Sequence, residues 1–370
     1  MPTLLVSYST LLGGAERLLV DFGGAIEGDV CVACPEGPLA EHARDSGLAV
    51  RAIAAHGLET RTSLRARASA SATLAAHSRE VARIVAELRP HTVVGWSMRS
   101  AIACAMALGP SGSCPAFVFQ HNDLLPRGPI AHVLRLAARR ADRVICLSYA
   151  IARDLDPRGT LGDRLRVVHP GVDLDRFAGG SAPAKGAEVL MLGAITDWKR
   201  PRLAVDAVAC AAGGDLPKIR LTLAGAPLDA GGRRLATELE ARARQLGIAD
   251  RVTFAGQVAD PAGALARSSC LIHCADREPF GMALVEALAS GRPVVAPRSG
   301  GPLEIVDETA GYRYEPGSVQ AAAQGLVAVL SAPSRTAQLG VAARRRAELR
   351  FDRAAAHERY RRALPNAAAA

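Results

Sequence analysis

Residues 278–306 read EPFGMALVEALASGRPVVAPRSGGPLEIV. Pro279 suits the first turn of a helix, and the run from Phe280 to Ala289 carries Met282, Leu284, Val285 and Leu288, so that helix is apolar almost all round. Pro293–Ala296 is a short β-branched run, and Gly300-Gly301-Pro302 opens a second helix. A helix, a strand and another helix in so short a span make one step of a repeating βα chain with a parallel sheet. The fold class is α/β.

The same alternation extends in both directions. Upstream, strands are expected at Leu4–Ser7, Val30–Cys34, Val50–Ile53, Thr92–Trp96, Ala116–His121, Arg143–Leu147 and Arg166–His169, with a helix at Leu74–Leu88. Phe177 to Ala187, FAGGSAPAKGA, is the richest Gly/Ser/Pro/Ala stretch without apolar period and marks an interdomain linker. The pattern then restarts with strands at Val189–Leu192, Ile219–Ala224, Val252–Ala255 and Cys270–His273, and a helix at Arg233–Gly247. Val319, Ala322, Ala323, Leu326, Val327 and Leu330 form one face of a late helix. Two further helical stretches and an alanine tail after Asn366 close the chain. At 370 residues, two domains with a cleft between them are expected.

Composition narrows the function. The first ten residues have neither the basic start nor the apolar length of a signal peptide or spanning helix, which points to the cytoplasm. Eight scattered cysteines read as reduced core residues. Cys31 with Cys34, and Cys270 with His273 and Cys274, lie in strand-like runs where residues three apart face opposite sides, so neither group is a metal or redox site. The net charge of +9 is shared nearly evenly between the halves, and aromatics are only 4%, so nucleic acid is excluded as a partner. The excess suits an anionic small molecule or peripheral contact with an anionic membrane, with Arg61, Arg65, Arg67 and Arg135, Arg139, Arg140 as local clusters on otherwise solvated helix faces.

Glu286 is the sole charge on the apolar 280–289 helix. Buried there it needs hydroxyls, amides or a cation, supplied either by a ligand such as a ribose diol or by Arg277 or Arg298. Glu278 precedes the helix, where it caps free N–H groups or meets a ligand. Eight residues of helix separate the two backbones by about 12 Å, more than the ~5–9.5 Å between glycosidase carboxylates, which disfavours hydrolysis. Gly13-Gly14 and Gly300-Gly301 each precede a helix, where backbone amides can meet an anion, and neither is a G-x-G-x-x-G dinucleotide loop. His121 ends an apolar strand, as a core histidine or a site residue does. Lys199 is one of only three lysines among 45 basic residues.

Glu278 and Glu286 together form an E-x7-E pattern, and here the chain resembles the retaining glycosyltransferases of family 4. The similarity extends over most of the chain: Gly13-Gly14-Ala15-Glu16-Arg17, Phe119-Gln120-His121-Asn122, Asp142 to Ser148, His169-Pro170-Gly171-Val172-Asp173 with Phe177, and Phe254-Ala255-Gly256-Gln257. The resemblance implies the GT-B fold, two Rossmann-like βαβ domains facing across a cleft. Residues 1–176 would bind the acceptor, 177–187 link, and 188–350 bind the nucleotide-sugar donor; 351–370 would return a helix toward the first domain and end in a tail.

It further implies that Glu278 and the amides of Phe280, Gly281 and Met282 hold the donor sugar, that Glu286 holds the ribose, and that Lys199 neutralises the diphosphate. Gly13, Gly14, Asn122 and Gln257 would line the substrates, and His121 would lie by the reacting sugar. The family's G-R-x-x-x-x-K element has Ala194 in place of its arginine here, so Arg200 or Arg202 is expected to replace it. No metal and no cofactor besides the donor is implied, although Asp173-Leu174-Asp175 spells D-x-D. The donor would carry UDP or GDP, and the acceptor would be a saccharide, lipid or natural product. A nucleotide-sugar 2-epimerase and a catalytically inactive sugar-nucleotide-binding protein are the alternatives on the same architecture, and a nicotinamide oxidoreductase lacks its phosphate loop.

Overall fold

The computed structural model describes residues 2–55, 64–110, 112, 114–178 and 186–365. Most of the 177–187 stretch, Arg61 and the terminal alanines lie outside them, as do the side chains of Arg65 and Arg67. Backbone contacts divide the chain into two compact units: Met1–Pro170 with Ala354–Ala370, and Gly171–Arg353.

In the first unit the elements run β1 (Thr3–Val6), α1 (Gly14–Ala25), β2 (Val30–Cys34), α2 (Pro38–Asp45), β3 (Ala49–Ala52), α3 (Leu64–Leu88), β4 (Thr92–Trp96), α4 (Met98–Ala107), β5 (Ala116–His121), α5 (Pro129–Arg140), β6 (Arg143–Cys146), α6 (Tyr149–Leu155) and β7 (Leu165–Val167). The sheet is parallel throughout, in the order β3-β2-β1-β4-β5-β6-β7. β1 and β4 are buried along their whole length and apolar after an initial threonine, as strands covered on both faces are. The order reverses between them, so the loops at their carboxyl ends splay apart and leave a crevice.

The second unit runs β8 (Glu188–Leu192), α7 (Pro201–Ala212), β9 (Arg220–Ala224), α8 (Ala230–Gln245), β10 (Val252–Gly256), α9 (Pro261–Ala266), β11 (Cys270–Ile272), α10 (Met282–Ala289), β12 (Val294–Pro297), α11 (Pro302–Ile305), β13 (Gly311–Tyr314), α12 (Val319–Leu330) and α13 (Pro333–Arg350). Its parallel sheet has the order β10-β9-β8-β11-β12-β13, which places the reversal between β8 and β11. A last helix, α14 (Arg353–Ala363), packs in the first unit: buried Tyr360 stacks on Phe22 with centroids 4.4 Å apart, and His357 Nε2 lies 2.9 Å from Asp21. Both units are thus α/β with doubly wound parallel sheets.

Three local expectations are corrected. The apolar helix begins at Met282 and not at Phe280, because Gly281 adopts φ 113°, a left-handed conformation that ends the preceding loop and leaves Pro279 outside the first turn. β13, Gly-Tyr-Arg-Tyr, is an additional strand, too short for its single Tyr-Arg-Tyr alternation to stand out from a turn. Arg135 is not part of a solvated cluster; its guanidinium turns inward and donates to the carbonyls of Leu155 and Asp154, each at 3.0 Å.

Candidate functional site

In the second unit, the chain leaving β8 runs through Gly193 and Thr196 to a single helical turn at Asp197–Lys199. The chain leaving β11 runs through His273 and Asp276 to Glu278. These are the two loops that flank the reversal in strand order, and they bring Lys199 and Glu278 together. Lys199 Nζ donates to Glu278 Oε2 at 2.7 Å and lies 4.0 Å from the centroid of the Trp198 ring. His273 Nε2 is 3.2 Å from the same carboxylate oxygen, a close polar contact without the alignment of a directed hydrogen bond. Burial alone would raise the Glu278 carboxyl; the adjacent His273 and Lys199 outweigh it and hold its pKa down at about 2. Glu278 is therefore an ionised, nearly buried acceptor.

Arg200 joins this cluster and Arg202 does not. Arg200 occupies the left-handed region at φ 55°, ψ 49°, unusual for a residue with a side chain, and its guanidinium pairs with Asp276. Pro201 then starts α7, on which Arg202 turns to Glu238 of α8 in an exposed pair. Thr196 and Asp276 were not singled out by sequence reasoning, and His273 was weighed only with Cys270 and Cys274 as a metal set and dismissed. Their signal is polarity in the loops that follow strands with buried apolar runs, Val189–Met191 and Cys270–Ile272. Thr196 Oγ1 and Asp276 Oδ1 are buried without a hydrogen-bond partner, vacant valences at the same switch point.

The loop after β12 shapes the start of α10. Gly301 N–H donates to the Glu278 carbonyl at 2.9 Å, and Ser299 Oγ donates to the Asp276 carbonyl at 2.7 Å. A Cβ on Gly301 would lie 2.1 Å from the Phe280 carbonyl oxygen, so only glycine permits this approach. Phe280 is buried, Gly281 is the N-cap and offers no side chain, and Met282 is half-buried. Glu286 is half-buried one turn further along an otherwise apolar helix. Glu278 does not cap α10, since its carboxylate is committed to Lys199. Gln257 is exposed beyond the end of edge strand β10, with β9 between that strand and β8.

In the first unit a cavity of about 370 Å³ opens at the reversal between β1 and β4, lined among others by Tyr8, Glu16, Ser97, Arg99 and Asn122. Ser97 has φ 87°, a strained value at the turn from β4 into α4. Asn122 Oδ1 accepts from Gln120 Nε2 at 2.8 Å, and its Nδ2 is buried without a partner. His121 is fully buried with neither ring nitrogen partnered, and that burial depresses its pKa to about 3, so the imidazole is neutral. Gly13 is the N-cap of α1, but its N–H donates to Glu16 Oε2 at 3.0 Å, so the protein's own carboxylate meets the helix terminus that the Gly13-Gly14 loop presents. Asp173 of the D-x-D accepts from the amides of Asp175 and Arg176 and pairs with Arg353. Among the described residues no cluster of three or more His, Cys, Asp or Glu could hold a metal ion.

Two doubly wound parallel-sheet units, each with polar groups gathered where its strand order reverses, define the GT-B class. The chain belongs to the family-4 glycosyltransferases: the family described as Glycosyltransferase Family 4 matches residues 12–176, and that described as Glycosyl transferases group 1 matches residues 175–346. Among curated relatives, the D-inositol 3-phosphate glycosyltransferases of Mycobacteroides abscessus and Mycolicibacterium smegmatis are 36% and 39% identical over 160 residues. Each match covers 40% of this chain and only 35% or 36% of the relative, so the chain spans about a third of their length in sequence similarity. Of solved structures, HepE from Anabaena in complex with UDP matches with a TM-score of 0.82 at 22% identity over 97% of this chain and 98% of that one. Sucrose-phosphate synthase from Thermosynechococcus elongatus matches with a TM-score of 0.78 at 18% identity, over 96% of both chains. These two likenesses establish the shared fold.

Proposed function

We propose that the chain transfers a sugar from a nucleotide diphosphate sugar of the UDP or GDP type to a saccharide, lipid or natural-product acceptor, with retention of anomeric configuration and without a metal, in the cytoplasm. The observation that carries this is the Lys199–Glu278 pair at the switch point of the second sheet, where doubly wound proteins bind their ligands. HepE, a neighbour of the same fold, is described with UDP, with UDP and glucose, and with UDP-glucose, which supports a uridine donor here.

An ionised carboxylate is acceptor-only, so Glu278 suits sugar hydroxyls that donate to it. Lys199 supplies positive charge for the departing diphosphate. At ~4 Å and an effective dielectric near 20 that is worth about 4 kcal/mol, roughly a thousandfold in rate if expressed in the transition state. Arg200, held by Asp276 beside Lys199 in sequence, is the arginine that offsets Ala194. Amides at the start of α10 fix the sugar, and Glu286 takes the ribose. With the leaving group so stabilised, front-face attack by the acceptor hydroxyl needs no protein nucleophile, and the protein's contribution is electrostatic positioning. His121 and Asn122 would present the reacting hydroxyls through their unpartnered nitrogens. Gly13, Gly14 and Gln257 would complete the substrate contacts.

The test is a thermal-shift panel of nucleotide diphosphates and their sugars on the native chain, Glu286→Ala and Lys199→Ala, followed by product analysis with and without acceptors. A shift with one nucleotide class that both variants lose, and a glycosylated product, are expected. Shifts unchanged in both variants would remove the site. Binding without turnover of any donor would leave an inactive binding protein, and donor conversion without acceptor an epimerase.

A further inference from the structure

We propose that the second unit carries a further ligand site, at the amino-terminal end of its sheet and away from Lys199 and Glu278, that takes a phosphorylated small molecule. This goes beyond the transfer reaction and rests on other residues. A cavity of about 650 Å³ opens there, a size that holds a small organic ligand. Ser269 and Pro293 on its wall directly precede β11 and β12. It therefore faces the amino ends of the strands whose carboxyl ends lead to Glu278 and to the loop of Gly301. Ala289 and Ser290 bring in the C-terminal end of α10, about 12 Å of helix from the Gly281 cap at its other end.

The walls are held by contacts within the protein. A Cβ on Gly340 of α13 would lie 2.5 Å from the Gly291 carbonyl oxygen, so the backbone of α13 rests directly on the turn between α10 and β12. One turn further along α13, Arg344 Nη1 donates to the Ala289 carbonyl at 2.7 Å and to the Leu174 carbonyl at 3.0 Å. Thr336 Oγ1 donates to the Val329 carbonyl at 2.7 Å. The space is thus a formed feature of the unit, and it is not filled by its own side chains as a packed interior is.

Its chemistry selects an anion. Arg292, Arg344, Arg345 and Glu348 line it, and 3 − 1 leaves a surplus of two positive charges. Glu348 accepts from Arg344 Nε at 2.6 Å, so those two offset each other. Arg346 pairs with Asp307, whereas Arg345 is exposed and makes no ion pair among the described residues. Arg292 is 2% exposed; its Nη2 donates to the Ala266 carbonyl at 3.1 Å, and burial lowers its pKa. The Ser290 hydroxyl on the same wall is 93% buried, and its oxygen has no hydrogen-bond partner. Buried hydroxyls are ordinarily satisfied, so this one is a group held for a ligand.

A phosphate monoester carries about −1.5 to −2 at pH 7, which matches that surplus, and its oxygens accept from guanidinium forks and from a hydroxyl. A carboxylate brings one charge and two oxygens. Phe177, Pro293 and Val341 add apolar wall, which suits the carbon skeleton of an ester and has no use for inorganic phosphate.

The experiment is isothermal titration calorimetry of the full chain with glucose 6-phosphate and glycerol 3-phosphate, and with inorganic phosphate, glucose and citrate beside them, at about 0.1 M salt. At least one of the two esters is expected to bind at a single site, more tightly than inorganic phosphate or citrate, while glucose gives no heat. Arg345→Gln and Ser290→Ala should each weaken it about tenfold, the loss of one hydrogen bond to a charged group. Ala337→Glu, which puts a carboxylate at an exposed position of the rim, should abolish it. Circular dichroism and UDP binding by these variants should stay native, and Lys199→Ala should bind the ester normally, which separates this result from any failure of the donor site. Equal binding by the native chain and Arg345→Gln, loss in Lys199→Ala, inorganic phosphate or citrate bound as tightly, or no binding of either ester would overturn the proposal.

Discussion

Lys199 Nζ and Glu278 Oε2 are 2.7 Å apart, with their side chains 20% and 8% exposed, although 79 residues separate them in the chain. The two loops after β8 and β11 are thereby tied across the switch point before any substrate arrives. Removing one partner strands the other. Lys199→Met leaves an ionised carboxylate with only His273 beside it, and should destabilise the protein by about 3 kcal/mol in urea unfolding. Lys199→Met with Glu278→Gln should recover most of that, since neither charge is left exposed to a dry neighbour. If the double variant were as unstable as the sum of the singles, the pair would not be the source of the effect.

Glu278 also gives the protein an acid-sensitive term. Its folded pKa of about 2 lies below the ~4.3 of an unfolded glutamate, so the unfolded chain takes up the proton first. The stabilisation is therefore fully present above about pH 5 and is lost as the pH falls toward 2. Denaturant titrations at pH 6, 4 and 3 should show the native chain's advantage over Glu278→Gln shrinking in that window. A gap that stays constant would mean that the carboxylate is not held ionised by its neighbours.

Gly301 sets how closely the loop after β12 approaches the loop that carries Glu278. A methyl group there would sit 2.1 Å from the Phe280 carbonyl, and the obstacle is backbone that cannot rotate away. Gly301→Ala should shift residues 278–282 and abolish the nucleotide-induced thermal shift, at a cost of 2 kcal/mol or more, roughly that of an overpacked core. Gly24→Ala, with open space around the added carbon, is the matched control and should bind nucleotide normally. Equal binding by both would show that the loop tolerates displacement.

The α/β class and most strands were legible because they rest on short-range patterns, apolar runs and helical period; Lys199 and Glu278 were joined to one site only by the resemblance to family 4, which did not foretell that they pair. Partner choice was not legible. Arg200 and Arg202 differ by two positions, and nothing in the sequence says that the left-handed turn at Arg200 aims one at Asp276 while α7 aims the other at Glu238. Gly13-Gly14 read as an open anion loop, yet Glu16 three residues on reaches back to the Gly13 amide.

His121 was balanced in the sequence between a core histidine and a site residue, and its surroundings now make the two separable. A histidine placed only for packing would have its nitrogens satisfied, whereas both are buried and unpartnered. Each such group costs on the order of 1–3 kcal/mol, which the fold has no reason to carry unless a substrate hydroxyl meets it. His121→Leu, similar in volume and without polar atoms, should therefore leave the protein at least as stable while turnover drops a hundredfold or more. Its pH signature follows from the pKa of about 3, far below the ~6.5 of an unfolded histidine: protonation favours the unfolded chain, so the native protein loses stability as the pH falls below about 6.5. His121→Leu should lack that loss, and its stability relative to the native chain should grow between pH 7 and 4. Native turnover in His121→Leu, with stability raised at every pH alike, would return His121 to the core.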